Sequence, residues 1–170
     1  MGKSNILLAL HRWTDARQVG ERAVAEAEHS GVERMLGGYL GTLAQILLAQ
    51  GEVTASLAVL RRVLELEGAR DDASLMRDAR CHLALAQLAS GAADAAQREI
   101  ESLDASRDPK TIIEQNLVGG WSALACGDVR AARKRAQDVR AHRSEWVRAV
   151  LQRGRAVGRC HQKTTPAVYV

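Results

Sequence analysis

The chain has 170 residues and a formal net charge of +4, with 46% hydrophobic and 3% aromatic residues and no Phe. That length fits one compact domain or a short repeat array, and a core without Phe has to be built from Leu, Val, Ile and Ala. Three cysteines, Cys81, Cys126 and Cys160, stand at no short spacing, which argues against a disulfide framework and a zinc-ribbon pattern. No run approaches the ~20 apolar residues of a membrane span, and Ile6 to Leu10 is too short for a signal peptide. A cytoplasmic protein is expected.

Taken in chain order, Ser4 to Leu10 reads as the last turns of a helix whose beginning is missing. Residues 13–29 form a helix ending at Ser30-Gly31, where glycine can take the left-handed conformation that closes helices. The helix 32–50 follows, with Leu36, Leu40, Leu43 and Leu47 at helical spacing on one face. Gly51 turns the chain into 53–67, where Val53, Leu57, Leu60 and Leu64 make a matching stripe. Asp71 or Asp72 can cap the next helix, apolar to about Ser90, and Gly91 turns it into 92–105. Asp108 at a cap position and Pro109 in the first turn start a helix that runs to about Cys126. After Gly127-Asp128, residues 129–142 carry Val129, Ala132, Ala136 and Val139 inward. A last helix over 144–157, with Trp146, Val147, Val150 and Leu151 at helical spacing, would cap the stack and leave 158–170 as a tail.

The corners share a register. His11, Gly51, Gly91 and Gly127 lie 40, 40 and 36 residues apart, and five positions beyond each stands a small residue, Ala16, Ser56, Ala96 or Ala132. Seven positions before the last three corners stand Ala44, Ala84 and Gly120. A fixed period of this size marks a stack of units, each unable to bury its apolar face alone. With a helix pair per unit and small residues at these places, residues 4–142 resemble the tetratricopeptide repeat (TPR) family. The period is longer than that family's 34, no unit has its closing proline, and Ser56 replaces an expected Ala. The resemblance implies an all-α, right-handed α-solenoid of antiparallel helix pairs. One repeat domain is expected over 1–157, with a partial unit 4–29, full units 32–67, 71–105 and 109–142, and the capping helix 144–157. Long, Ala- and Leu-rich, degenerate units of this kind look like those of LuxR-type bacterial transcriptional activators, where they resemble sensor or oligomerisation segments.

In the TPR family the first helices of successive units line a concave groove that receives a peptide or a helix. By that resemblance the groove-facing candidates are Gln45, Leu48, Asp78, His82, Leu85, Leu117 and Trp121, with Gly41, Cys81, Glu114 and Leu124 beside them. Trp121 reads either as the groove's aromatic anchor or as a core residue between first helices. The function expected is a non-catalytic protein-interaction scaffold with a protein or peptide partner, and self-association through the truncated first edge is a further expectation.

The charge is uneven: residues 1–127 hold 13 Lys and Arg against 17 Asp and Glu, and residues 128–170 hold 11 against 3. Solvated helix faces in an Arg-rich composition account for this. The alternative is a polyanion or nucleic-acid binder using Arg130, Arg133, Lys134, Arg140, Arg143 and Arg148, although only Trp146 accompanies them for base stacking. No catalytic constellation stands out. Gly2-Lys3-Ser4 lacks the preceding strand and glycine of a phosphate loop, and Cys81-His82 and Cys160-His161 are adjacent pairs that point about 100° apart on a helix. No enzyme activity, cofactor or metal is expected.

Overall fold

A computed structural model describes residues 2–104 and 108–143, and every regular element among them is helical. The helices are α1 (Gly2–Ala9), α2 (Trp13–Ser30), α3 (Glu33–Ala49), α4 (Val53–Glu65), α5 (Glu67–Arg70), α6 (Ala73–Ala89), α7 (Ala93–Glu101) and α8 (Pro109–Ala125). Residues 129–143 are also helical and are called α9. No helix among the described residues is long and apolar enough to cross a membrane. The expected helix 144–157 and tail 158–170 lie outside the described residues.

All four corners anticipated from the sequence have one geometry. Gly51, Gly91 and Gly127 take φ of +81°, +84° and +81°. In each, the glycine amide donates to the carbonyl three residues back at 3.0 Å, on Leu48, Leu88 and Leu124. The following amide donates five back, Glu52 to Leu47, Ala92 to Gln87 and Asp128 to Ala123. This double closure satisfies carbonyls that the helix end leaves open, and it needs the left-handed backbone that glycine adopts without steric cost. His11 closes α1 by the same pair of bonds at φ +56° although it carries a Cβ, a conformation that costs roughly 1–2 kcal/mol in a non-glycine residue.

Beyond each corner the small residue is buried. Ala16, Ser56 and Ala96 are fully enclosed and Ala132 nearly so. Ser56 explains its own departure from Ala: its hydroxyl donates to the Ala44 carbonyl at 2.8 Å, so the buried oxygen has a partner where α4 crosses α3. At the starts of α6 and α8, Asp72 accepts from the Leu75 amide at 3.0 Å and Asp108 from the Thr111 amide at 2.9 Å. Asp128 does the same for Ala131 at the start of α9.

Helices pack on near neighbours in the chain: α2 on α1 and α3, α3 on α4, α6 on α3, α4 and α7, and α8 on α6 and α7. The core is correspondingly strung out in clusters. Leu7, Ala16 and Ile46 form one near the start, and Val24, Leu36, Leu40, Leu43, Leu47 and Val63 the next. Ala44, Leu60, Leu83 and Ala86 join α3, α4 and α6, and Cys81, Ala84, Ala96, Ile100 and Val118 join α6, α7 and α8. Leu40, Ile46, Leu60 and Val63 are almost wholly enclosed, and removing each from water is worth about 1.5–3 kcal/mol. Ion pairs tie α2 to both ends of α4, Arg17 to Glu52 and Arg62 to Glu28.

Several expectations are revised. The helix expected over 53–67 ends at Glu65, and α5 follows as a separate turn after an extended Leu66. The break lets the Gly68 amide donate to the Glu33 carboxylate, where an unbroken helix would have bonded that amide to the carbonyl four residues back. α7 stops at Glu101, short of the expected 105. On α9, Ala132 is buried and Val139 half-buried, but Val129 and Ala136, expected inward, are exposed.

Candidate interaction groove

One side of α3, α6 and α8 forms a depression of about 230 Å³, with Asn5 of α1 at its edge. Gly38, Gly41, Thr42 and Gln45 of α3 line it. Asp78 and His82 of α6 and Glu114 of α8 line it as well. An adjoining depression runs between Arg34, Met35, Asp72 and Ser74 and shares Gly38, Leu75 and Asp78 with the first, so the two form one trough along α3 and α6.

Local sequence explains the shape. An ideal Cβ built at Gly41 meets no atom within 4 Å, so that glycine leaves real space above α3. Thr42 is held down because its hydroxyl donates to the Gly38 carbonyl at 3.2 Å. Asp72, Asp78 and Glu114 give the trough an acidic lining, relieved by Arg34, which approaches Asp72 at 3.7 Å. The His82 ring places Nδ1 2.7 Å from the Asp78 carbonyl oxygen. A carbonyl only accepts, so Nδ1 is the donor in this contact. Carboxylates, an amide and an imidazole thus line one trough.

The structure gathers Gln45, Asp78 and His82 in that trough together with Glu114. Leu48 is half-buried against Leu60, Leu83 and Ala86, and Leu85 against Cys81, Ala96 and Val118. Leu117, Trp121 and Leu124 are exposed on α8 and line no part of the trough. Trp121 is 51% exposed, so it is not a core tryptophan among the described residues. Cys81 is enclosed, and burial first, then the nearby Asp78 and Glu114 charges, push its thiol up to about 12, with Arg77 opposing them. It is an inert packing residue at neutral pH. Gly38, Thr42, Leu75 and Asn5 were not anticipated. The signal for Gly38 was present: it lies thirteen residues before its corner, as Asp78 and Glu114 do before theirs.

On α9, Arg130, Arg133, Lys134, Arg140 and Arg143 are all exposed, and Arg148 lies outside the described residues. Among the described residues no three His, Cys, Asp or Glu side chains converge as metal ligands. No family model matches this chain, and no curated protein or solved structure matches it.

Proposed function

We propose that this chain is a non-catalytic interaction scaffold, a degenerate TPR-like right-handed α-solenoid of antiparallel helix pairs, whose acidic trough holds a peptide segment bearing Lys or Arg. The observation that carries the reading is the alignment of equivalent positions: Gly38, Asp78 and Glu114, each thirteen residues before its corner, meet in one depression. Repeated units that expose the same register position to one surface make an extended site in which a linear ligand meets each unit in turn. Four corners of one closure and a core strung along the chain support the solenoid; the single repeat domain over 1–157 is read with it, residues 144–157 lying outside the described ones. A role as a sensor or oligomerisation segment of a bacterial regulator is consistent with such a scaffold and rests on the resemblance alone.

The test is a peptide array probed with the full chain and with Gly41→Leu, which fills the trough at a position where the new Cβ has space. Basic peptides are expected to bind and acidic ones not, with Gly41→Leu losing at least about tenfold in affinity, ~1.4 kcal/mol. Equal binding by both proteins sinks the trough as the site. The exposed cations of α9 favour a second reading, a polyanion surface. Heparin retention that falls steeply with salt and disappears on replacing Arg130, Arg133 and Arg140 with Ala would establish it.

A further inference from the structure

One register position of α3 and α6 carries the same polar anchor. Nine residues before the corners Gly51, Gly91 and Gly127 stand Thr42, His82 and Val118. The Thr42 hydroxyl donates to the Gly38 carbonyl at 3.2 Å, and Nδ1 of His82 stands 2.7 Å from the Asp78 carbonyl oxygen, in each case the carbonyl four residues back. Val118, at the same place on α8, is apolar and buried. Thr42 and His82 both line the trough, whereas His11, His29 and His142 line no part of it. His82 is thus the one imidazole in the trough among the described residues.

The anchor decides where a further proton goes. With Nδ1 the donor to a carbonyl, which only accepts, the second nitrogen Nε2 takes the added proton and the contact survives. The ring gains a charge and keeps its place. The groups that line the same depression are Asp78 on its own helix, Glu114 from α8, Thr42 and Gln45 from α3, and Asn5 from α1. Arg34 and Asp72 stand 3.7 Å apart in the adjoining depression. α4, α5 and α7 also pack on α6, and none of their described residues lines the trough.

We propose that His82 is a charge switch on the trough: neutral, it admits a segment bearing Lys or Arg, and protonated, it repels one, so the ligand is held near neutral pH and released in mild acid. This regulation rests on the trough reading above. Histidine is the side chain that ordinarily changes charge between about pH 5 and 8, whereas carboxylates ordinarily do so near about 4 and lysine above about 10. A window from pH 7.5 to 5.5 therefore belongs to the imidazole. The coupling is reciprocal, since a segment that binds less well to the charged ring drives the proton off it. Across a wet depression, repulsion between two such charges is screened, and a change in affinity of roughly three- to tenfold is its expected size.

Fluorescence anisotropy of a capped, dye-labelled hexalysine peptide with the full chain, at pH 7.5 and 5.5 and fixed ionic strength, tests this beside His82→Gln and His82→Lys. The parent chain is expected to bind roughly three- to tenfold more weakly at pH 5.5, and both variants, whose side chain at 82 keeps one charge across the window, to change by less than about twofold. In proton NMR the His82 ring signal is expected to titrate at lower pH with the peptide bound than without it. A pH response that persists undiminished in His82→Gln overturns the proposal, as does a parent affinity that is the same at both pH values. Binding that is independent of pH yet lost in Gly41→Leu removes the switch and leaves the trough reading standing. A peptide that fails to bind the parent chain at pH 7.5 removes both.

Discussion

The α3–α4 pair and the α8–α9 pair are built on one register but reach different ends. In the first, Ile46, Leu60 and Val63 are sealed from water, and in the second Leu117, Trp121, Leu124 and Val129 stand exposed. Both pairs carry the same corner, with φ of +81° at Gly51 and at Gly127. Local geometry is therefore complete at the corner, whereas burial is conferred by neighbouring helices on either side, as Leu7 and Ala16 enclose Ile46 and Leu83 and Ala86 enclose Leu60. In the solenoid proposed above, stability is a sum of intrinsic and nearest-neighbour contributions, so one kind of helix pair need not carry the same energy at every place along the chain.

The largest expected effect contrasts two leucines. Leu60→Ala empties a site shared by Ala44, Leu83 and Ala86, and a loss of about 3 kcal/mol is expected, with the thermal midpoint lowered by roughly 6–12 °C. Leu124 is 56% exposed, and Leu124→Ala should cost less than about 1 kcal/mol. Thermal denaturation of the full chain followed by circular dichroism measures both, and a loss from Leu124→Ala as large as that from Leu60→Ala would remove the contrast between a sealed and an exposed leucine.

Next comes the pH dependence of the α6 core. Unfolded, the Cys81 thiol ionises at its ordinary value of 9.0, and folded it is pushed up to about 12. Between these values the unfolded chain binds fewer protons than the folded one. Stability from this group is thus complete below pH ~9 and falls as pH rises, by up to about 1.4 kcal/mol per pH unit. Urea titrations at pH 8 and pH 10 should differ more for the parent chain than for Cys81→Ala, and an identical pH response would remove Cys81 from the buried core.

The corners and the trough separate two kinds of glycine. Gly51→Ala forces a Cβ into left-handed backbone and should cost about 1–2 kcal/mol. Gly41→Ala, in mid-helix with open space at its Cβ, should stabilise by about 0.5–1 kcal/mol. Opposite signs in paired melts are expected, and matching signs would break the distinction between corner and trough. The smallest effect belongs to the exposed Arg62–Glu28 pair. Arg62→Ala should cost no more than about 0.5 kcal/mol and less in high salt.

Much of the fold was legible because its signals are local. Gly51, Gly91 and Gly127 mark corners by the one conformation other residues resist, and Asp108-Pro109 marks a helix start by the bonds that each can and cannot make. α5 was not legible, since only the Glu33 carboxylate, 35 residues upstream, gives the Gly68 amide its partner. The site was half legible. Gln45, Asp78 and His82 reach the trough, but Leu48 and Leu85 are as apolar as any groove residue and are taken up by packing against α6, α7 and α8. Val129 shows the converse: apolar spacing alone placed it inward, and it lies exposed near the α8–α9 corner.

By itself the sequence determined where the rods begin, bend and stop, because capping, left-handed corners and 3.6-residue periodicity are settled by groups within a few residues of one another. Only the tertiary structure decided which apolar stripe becomes core and which stays surface, and that Gly38, Asp78 and Glu114 share one acidic trough. Those outcomes depend on which helix lies against which, and contact between residues 30 to 40 positions apart leaves no mark on the local chemistry of either.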